Sequence, residues 1–173
     1  MVLDRKPVYV AQGEFETQRI GAAAIYCSDG RYGEQMDEFL HQSLGLPRYD
    51  RIAVPGGAGC LGDHTHAFTE SASLERQLRF LIEAHDLRRI VLIAHHQCAF
   101  YGQVWLGTQT LKERQAADLE RAATKLRMWY CDLEVEAYFA RPVNNRVTFE
   151  PWNARGLSDQ RLRPKQSIEV RRE

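Results

Sequence analysis

Apolar residues recur along this chain in two rhythms, and their order predicts an architecture. Residues 21–26 (Gly-Ala-Ala-Ala-Ile-Tyr) form a short unbroken apolar run of small and branched side chains, the pattern of a strand covered on both faces. After the Asp29-Gly30 turn, Met36, Phe39, Leu40 and Leu44 fall at helical spacing over residues 34–44, and Gly45 with Pro47 stops the helix. Residues 51–54 predict a second short strand that runs into Pro55-Gly56-Gly57-Ala58-Gly59. A helix is predicted over residues 71–86, with Leu74, Leu78, Leu81, Ile82 and His85 on one side and Ser71 as its cap. Residues 89–94 (Arg-Ile-Val-Leu-Ile-Ala) are the strongest strand. A further helix over about residues 108–129 carries an inward stripe of Leu111, Gln115, Leu119, Ala122, Leu126 and Trp129. Residues 133–140 alternate, and Pro142-Val143-Asn144-Asn145 turns them into residues 146–149 as a terminal hairpin. Nearly all-apolar strands alternating with helices predict an α/β fold. Its mainly parallel central sheet is flanked by helices and closed by a C-terminal antiparallel hairpin pair.

No repeat, low-complexity stretch or linker divides the 173 residues, so they are read as one domain, with an N-terminal arm over about 1–19 and a charged tail over about 157–173. Lys+Arg and Asp+Glu balance at 23 each, which removes the electrostatic case for a nucleic-acid or anionic-membrane partner. The tail is locally basic but includes Glu169 and Glu173 and no aromatic residue, so it reads as solvated or subunit-docking. No apolar run approaches the roughly 20 residues needed to span a bilayer. Residues 1–13 lack the apolar stretch of a secretory signal, and a cytoplasmic location is expected. Four cysteines in such a chain point to metal or thiol chemistry rather than a disulfide framework.

The candidate chemistry sits at strand ends. Cys27 closes the first apolar run, His95 closes the third, and Cys98 follows in His95-His96-Gln97-Cys98, a turn short enough for both side chains to reach one ion. In parallel sheets functional groups gather beyond the carboxyl ends of strands, where Cys27, the Pro55–Gly59 loop and His95 all fall. Two thiolates and one imidazole leave a fourth position on zinc, as in catalytic rather than structural sites. Such a donor set acidifies bound water less than three histidines do, yet hydroxide near neutral pH remains accessible. Asp29 has two possible tasks: accepting a hydrogen bond from zinc-bound water, or filling the fourth position itself. Arg31 bears on the choice, because a bidentate guanidinium holds a carboxylate off the metal and lowers its pKa. Orientation of the hydroxide is therefore the favoured role.

Cys27-Ser28-Asp29-Gly30-Arg31 followed by His95-His96-Gln97-Cys98 resembles the Cys-x-Asp-x-Arg and His-x-x-Cys signatures of β-class carbonic anhydrases, and the likeness extends from about Ile20 to Trp152. The resemblance implies Zn²⁺ bound by Cys27, His95 and Cys98, with Asp29 and Arg31 as the catalytic dyad. It implies a lyase that hydrates CO₂ reversibly to bicarbonate by zinc-hydroxide attack, working as a homodimer or larger homo-oligomer. Hydrolysis of COS or CS₂ on the same zinc is the alternative activity. A catalytically silent zinc protein closed by Asp29 is a further one. The chain departs from the family pattern at Val54-Pro55-Gly56-Gly57, where Arg-Asn-Ala-Gly is usual, and at Ala99, where glycine is usual. The ligand positions are intact, while the pocket wall changes, with Phe100 or Tyr101 lining an apolar mouth or, equally, packing in the core or at an interface.

The remaining candidates have plainer readings. His96 is expected on the face opposite the metal or as a proton shuttle, and His64 and His66 as a polar loop or a proton relay. Cys60 and Cys131 are expected as small apolar fillers.

Overall fold

Every residue of β1 (Ala22–Cys27) is buried, because both of its edges are paired and both of its faces covered. The computed structural model describes residues 6–62, 68–104 and 110–152. β1 lies between β2 (Asp50–Val54) and β3 (Arg89–His95), parallel to both; β4 (Glu134–Val143) adds parallel to β3, and β5 (Arg146–Pro151) returns antiparallel to β4. The sheet order is β2-β1-β3-β4-β5, the mainly parallel α/β sheet with a terminal antiparallel pair that the apolar pattern predicts. The hairpin turns on Asn144 and Asn145, with φ of 47° and 60°, the left-handed pair that a two-residue turn of matching twist requires.

Side-chain alternation divides the strands between two layers. Ala22, Ala24, Tyr26, Val91 and Ile93 face α1 (Gly33–Glu38), where they meet Met36, and Leu40 in the wider π turn Phe39–Ser43 that continues it. Ala23, Ile25, Ile90 and Leu92 face α2 (Phe68–His85) and α4 (Leu111–Trp129), packing on Leu74, Leu78, Leu119, Ala122 and Leu126. A short 3-10 turn (Gly57–Leu61) follows β2, and the one-and-a-half-turn α3 (Ala99–Val104) follows β3. Among the described residues no helix is long and apolar enough to cross a membrane.

Three details differ from the expected pattern. Ser71 is buried inside α2, where its hydroxyl donates to Glu75, so it caps nothing. Leu111 and Trp129, the ends of the α4 stripe, are 40% and 45% exposed. At about 1.5 Å per residue the 19-residue helix is about 28 Å long and outruns the 7-residue β3 beneath it. Trp129 instead takes the Lys125 ammonium over its ring at 4.7 Å. His85 is half-buried, with its Nδ1 2.6 Å from an Asp50 carboxylate oxygen, rather than packed in the core. The start of α4 is fixed by Thr110, whose hydroxyl accepts from the Glu113 amide while Glu113 accepts from the Thr110 amide. Thr110→Ala is expected to lower stability by about 1 kcal/mol, read as a lower urea midpoint at unchanged slope.

Candidate metal centre

The chain runs from β1 to β2 on one side and then crosses to β3 on the other, so the order reverses between β1 and β3. Ligand sites of open α/β sheets form beyond the carboxyl ends of the strands at such a reversal. Cys27 is the last residue of β1, His95 the last of β3, and Cys98 precedes α3. All three are buried, their donor atoms lie within 4.8 Å of one another, and the two sulfurs are 3.6 Å apart. His95 Nδ1 lies 3.0 Å from the His96 carbonyl oxygen, which can only accept, so Nδ1 carries the proton and Nε2 the lone pair. That Nε2 is buried and has no hydrogen-bond partner among the described residues. A buried acceptor without a donor is unfavourable, and one set beside two sulfurs fits a thiophilic divalent cation.

The backbone prepares the sulfurs for that role. The Cys98 thiol held against Cys27 pulls Cys27 far below the usual thiol range, aided by His95 and by the amides of Gly56 and Asp29. The same contact, with burial, pushes Cys98 up, although the Phe100 and Tyr101 amides at its sulfur act in the opposite direction. The Gly56 amide reaches Cys27 on a turn in which Gly56 and Gly57 take φ of 81° and 54°. A Cβ on Gly57 would lie 2.5 Å from the Cys27 nitrogen and the Tyr26 carbonyl carbon, and one on Gly56 would strike the Phe100 ring at 2.5 Å. The Pro-Gly-Gly departure from the family pattern thus makes a turn that lies directly on the Cys27 backbone.

A cavity of about 290 Å³ opens at the sulfurs, lined by Cys27, Asp29 and Cys98 together with the apolar Pro55, Ala99 and Phe100. Of the two aromatic candidates for the mouth, Phe100 lines it. Tyr101 takes the core alternative, buried in one cluster with the two cysteines. Asp29 is clasped by Arg31, whose Nε donates to both carboxylate oxygens at 3.0 and 3.1 Å, whose Nη2 donates to Oδ2 at 2.5 Å and whose amide adds a fourth bond at 3.1 Å. These hydrogen bonds hold the Asp29 carboxyl down at about 2, so it is ionised at every ordinary pH. The shift is downward, so the pair stabilises the fold above the unfolded carboxyl's pKa, and that contribution is lost as pH falls toward 2.

Tyr32, next in sequence, sets its ring 4.4 Å from that of His95 and donates to the His96 carbonyl. Its position directly after the arginine of the first motif was the only hint of this role. Gln115 donates to the His95 carbonyl at 2.7 Å from beneath, although in the sequence it is only a polar member of an inward stripe. His96 is exposed and its amide donates to Ala140, so its ring lies away from the buried donors. Cys60 is a buried filler that donates to the Pro55 carbonyl, its thiol pushed up to about 12 by burial. Cys131 is exposed, contrary to the filler reading, because it follows the end of α4 in a surface turn. His64 and His66 lie outside the described residues.

Residues 17–151 match the model of the family described as "Putative carbonic anhydrase". The chain belongs to this family. Two curated relatives are uncharacterized proteins. One, from Rickettsia conorii, is 26% identical over 100 residues, 57% of this chain and 52% of the relative. The other, from Rickettsia bellii, is 25% identical over 105 residues, 58% of this chain and 63% of the relative. The matches thus span between half and two thirds of those relatives' length. Among solved structures, β-carbonic anhydrase isoform I of Trichomonas vaginalis aligns over 80% of this chain and 87% of its own, at 12% identity and a TM-score of 0.49. The carbonic anhydrase of Streptococcus mutans aligns over 78% and 82%, at 16% identity and a TM-score of 0.47. Family membership agrees with the two motifs and with the grouping of Cys27, His95 and Cys98.

Proposed function

We propose that the protein is a zinc-dependent carbonate dehydratase that interconverts CO₂ and bicarbonate, with Cys27, His95 and Cys98 as metal ligands and Asp29 and Arg31 as the catalytic dyad. The observation that carries this reading is the buried, unpartnered His95 Nε2 beside two buried sulfurs at adjacent strand ends. A zinc ion on two thiolates and one imidazole supplies the Lewis acidity that makes water nucleophilic near neutral pH, with a fourth position left for that water.

The chain's own residues do the rest. Asp29, ionised and fixed by Arg31, presents an acceptor at the cavity wall that orients the attacking water and keeps its lone pair turned into the cavity. The same clasp supports an open centre over one closed by Asp29, because the carboxylate oxygens are already engaged. Pro55, Ala99 and Phe100 offer a small linear molecule such as CO₂ an apolar wall that competes poorly for water. A cytoplasmic homodimer or larger homo-oligomer belongs to the same reading, supported by Val8, Tyr9, Val10 and Phe15, which are 72–105% exposed in the single chain.

The test is stopped-flow CO₂ hydration from pH 6.5 to 9, with zinc measured on the same sample. Hydration proportional to bound zinc is expected. Asp29→Ala should keep its zinc while losing roughly 10–100-fold in rate. A zinc-loaded native chain inert across that range would mark a silent relative, and faster turnover of COS than of CO₂ would move the substrate to the sulfur analogue.

A further inference from the structure

A polar side chain on the inward face of a helix is unfavourable unless it is fully partnered. α4 carries two, Gln115 (2% exposed) and Asp118 (0%), nearly one turn apart beside Leu119, Ala122 and Leu126. Both reach toward the metal centre. Gln115 Nε2 donates to the His95 carbonyl at 2.7 Å. Asp118 accepts from Arg114 Nε at 3.1 Å and Arg121 at 2.6 Å, and it lies beside the hydroxyl of Tyr101. Tyr101, 1% exposed, lies in one buried cluster with Cys27 and Cys98. Its hydroxyl fills the space beside Gly59, where a Cβ would come within 1.8 Å of it. The His95–Cys98 turn between these two anchor points is strained, since Gln97 takes φ of 53°, a left-handed value that a side chain adopts only when its surroundings hold it there.

We propose that α4 braces the metal centre. Gln115 and Asp118 are positioning residues: Gln115 fixes the end of β3 at His95, and Asp118 fixes α3 through Tyr101. Together they set the spread of His95 and Cys98 against Cys27. Neither touches the metal or the substrate, and the inference rests on the metal reading above. Residues that hold a ligand in place typically change metal affinity about 10–100-fold when they are removed.

The experiment compares the full native chain with Gln115→Met, Tyr101→Phe and, as a packing control on the same helix, Leu126→Ala. Zinc affinity is read by chelator competition, ligand geometry by the thiolate absorption of the Co²⁺ form, and apo-protein stability by thermal midpoint. Gln115→Met and Tyr101→Phe are expected to bind zinc about 10–100-fold more weakly and to shift the Co²⁺ spectrum. Leu126→Ala should lower the apo midpoint and leave zinc affinity unchanged. If both polar variants bind zinc as tightly as the native chain while their apo midpoints fall, the brace is overturned and the metal reading stands. If the native chain itself binds no zinc, the metal reading falls and the brace with it.

Discussion

Cys98→Ala is expected to lower bound zinc from about one per chain to a small fraction of that, and CO₂ hydration should disappear with it. Apparent zinc binding free energies of about 10–16 kcal/mol are spread over the whole ligand set, so one thiolate carries roughly 3–5 kcal/mol, about 10²–10⁴ in affinity. The site has no ready substitute. Among the described residues the cysteines outside the group are Cys60, whose thiol is engaged with the Pro55 carbonyl, and Cys131, which is exposed after α4. Metal analysis after dialysis against a weak chelator reads the effect directly. Tight stoichiometric zinc in Cys98→Ala would show that this sulfur is not a ligand.

Gly57→Ala is expected to be nearly as damaging, by a different route. At φ of 54° an alanine suffers a left-handed backbone penalty of about 1–2 kcal/mol. Its Cβ would also lie 2.5 Å from backbone atoms of Tyr26 and Cys27, and backbone in the middle of a sheet cannot swing aside as a flexible side chain can. Overpacking of this kind adds about 1–3 kcal/mol, for a total of roughly 2–5 kcal/mol, a large share of a domain's stability. Any relief must displace Cys27, so zinc affinity should fall together with the urea midpoint. Gly30→Ala is the matched control. Gly30 lies inside the first motif, but a Cβ there meets nothing within 4 Å, and no effect on stability is expected. Equal destabilisation by the two substitutions would contradict the account of the Gly56–Gly57 turn.

The legible part of this chain was the part governed by periodicity. The runs at residues 21–26 and 89–94 became β1 and β3 because strands buried on both faces carry almost no polar side chains, and that composition survives any detail of tertiary contact. Cys27, His95 and Cys98 were legible for the same reason, since a reactive residue at the end of such a run is delivered to the sheet's carboxyl edge wherever the helices lie. What supports the site was less visible. Gly57 reads as an ordinary turn residue until the backbone of β1 is found against it. Gln115 reads as an imperfection in an apolar stripe until the His95 carbonyl is found at its amide. Phe100 and Tyr101 stayed open between mouth and core, because an aromatic residue beside a strand-end cysteine suits either, and only the surroundings of the Tyr101 hydroxyl at Gly59 and Asp118 decide for the core. The ends of the α4 stripe were misjudged because helical spacing records which face is apolar and not how far the covering sheet extends.

X-ray absorption at the zinc edge of the native protein tests the central claim most directly. Two sulfur scatterers at about 2.3 Å with two nitrogen or oxygen scatterers at about 2.0–2.1 Å are predicted: Cys27, Cys98, His95 and one exchangeable water. A shell of nitrogen and oxygen alone, or of three or more sulfurs, would contradict it.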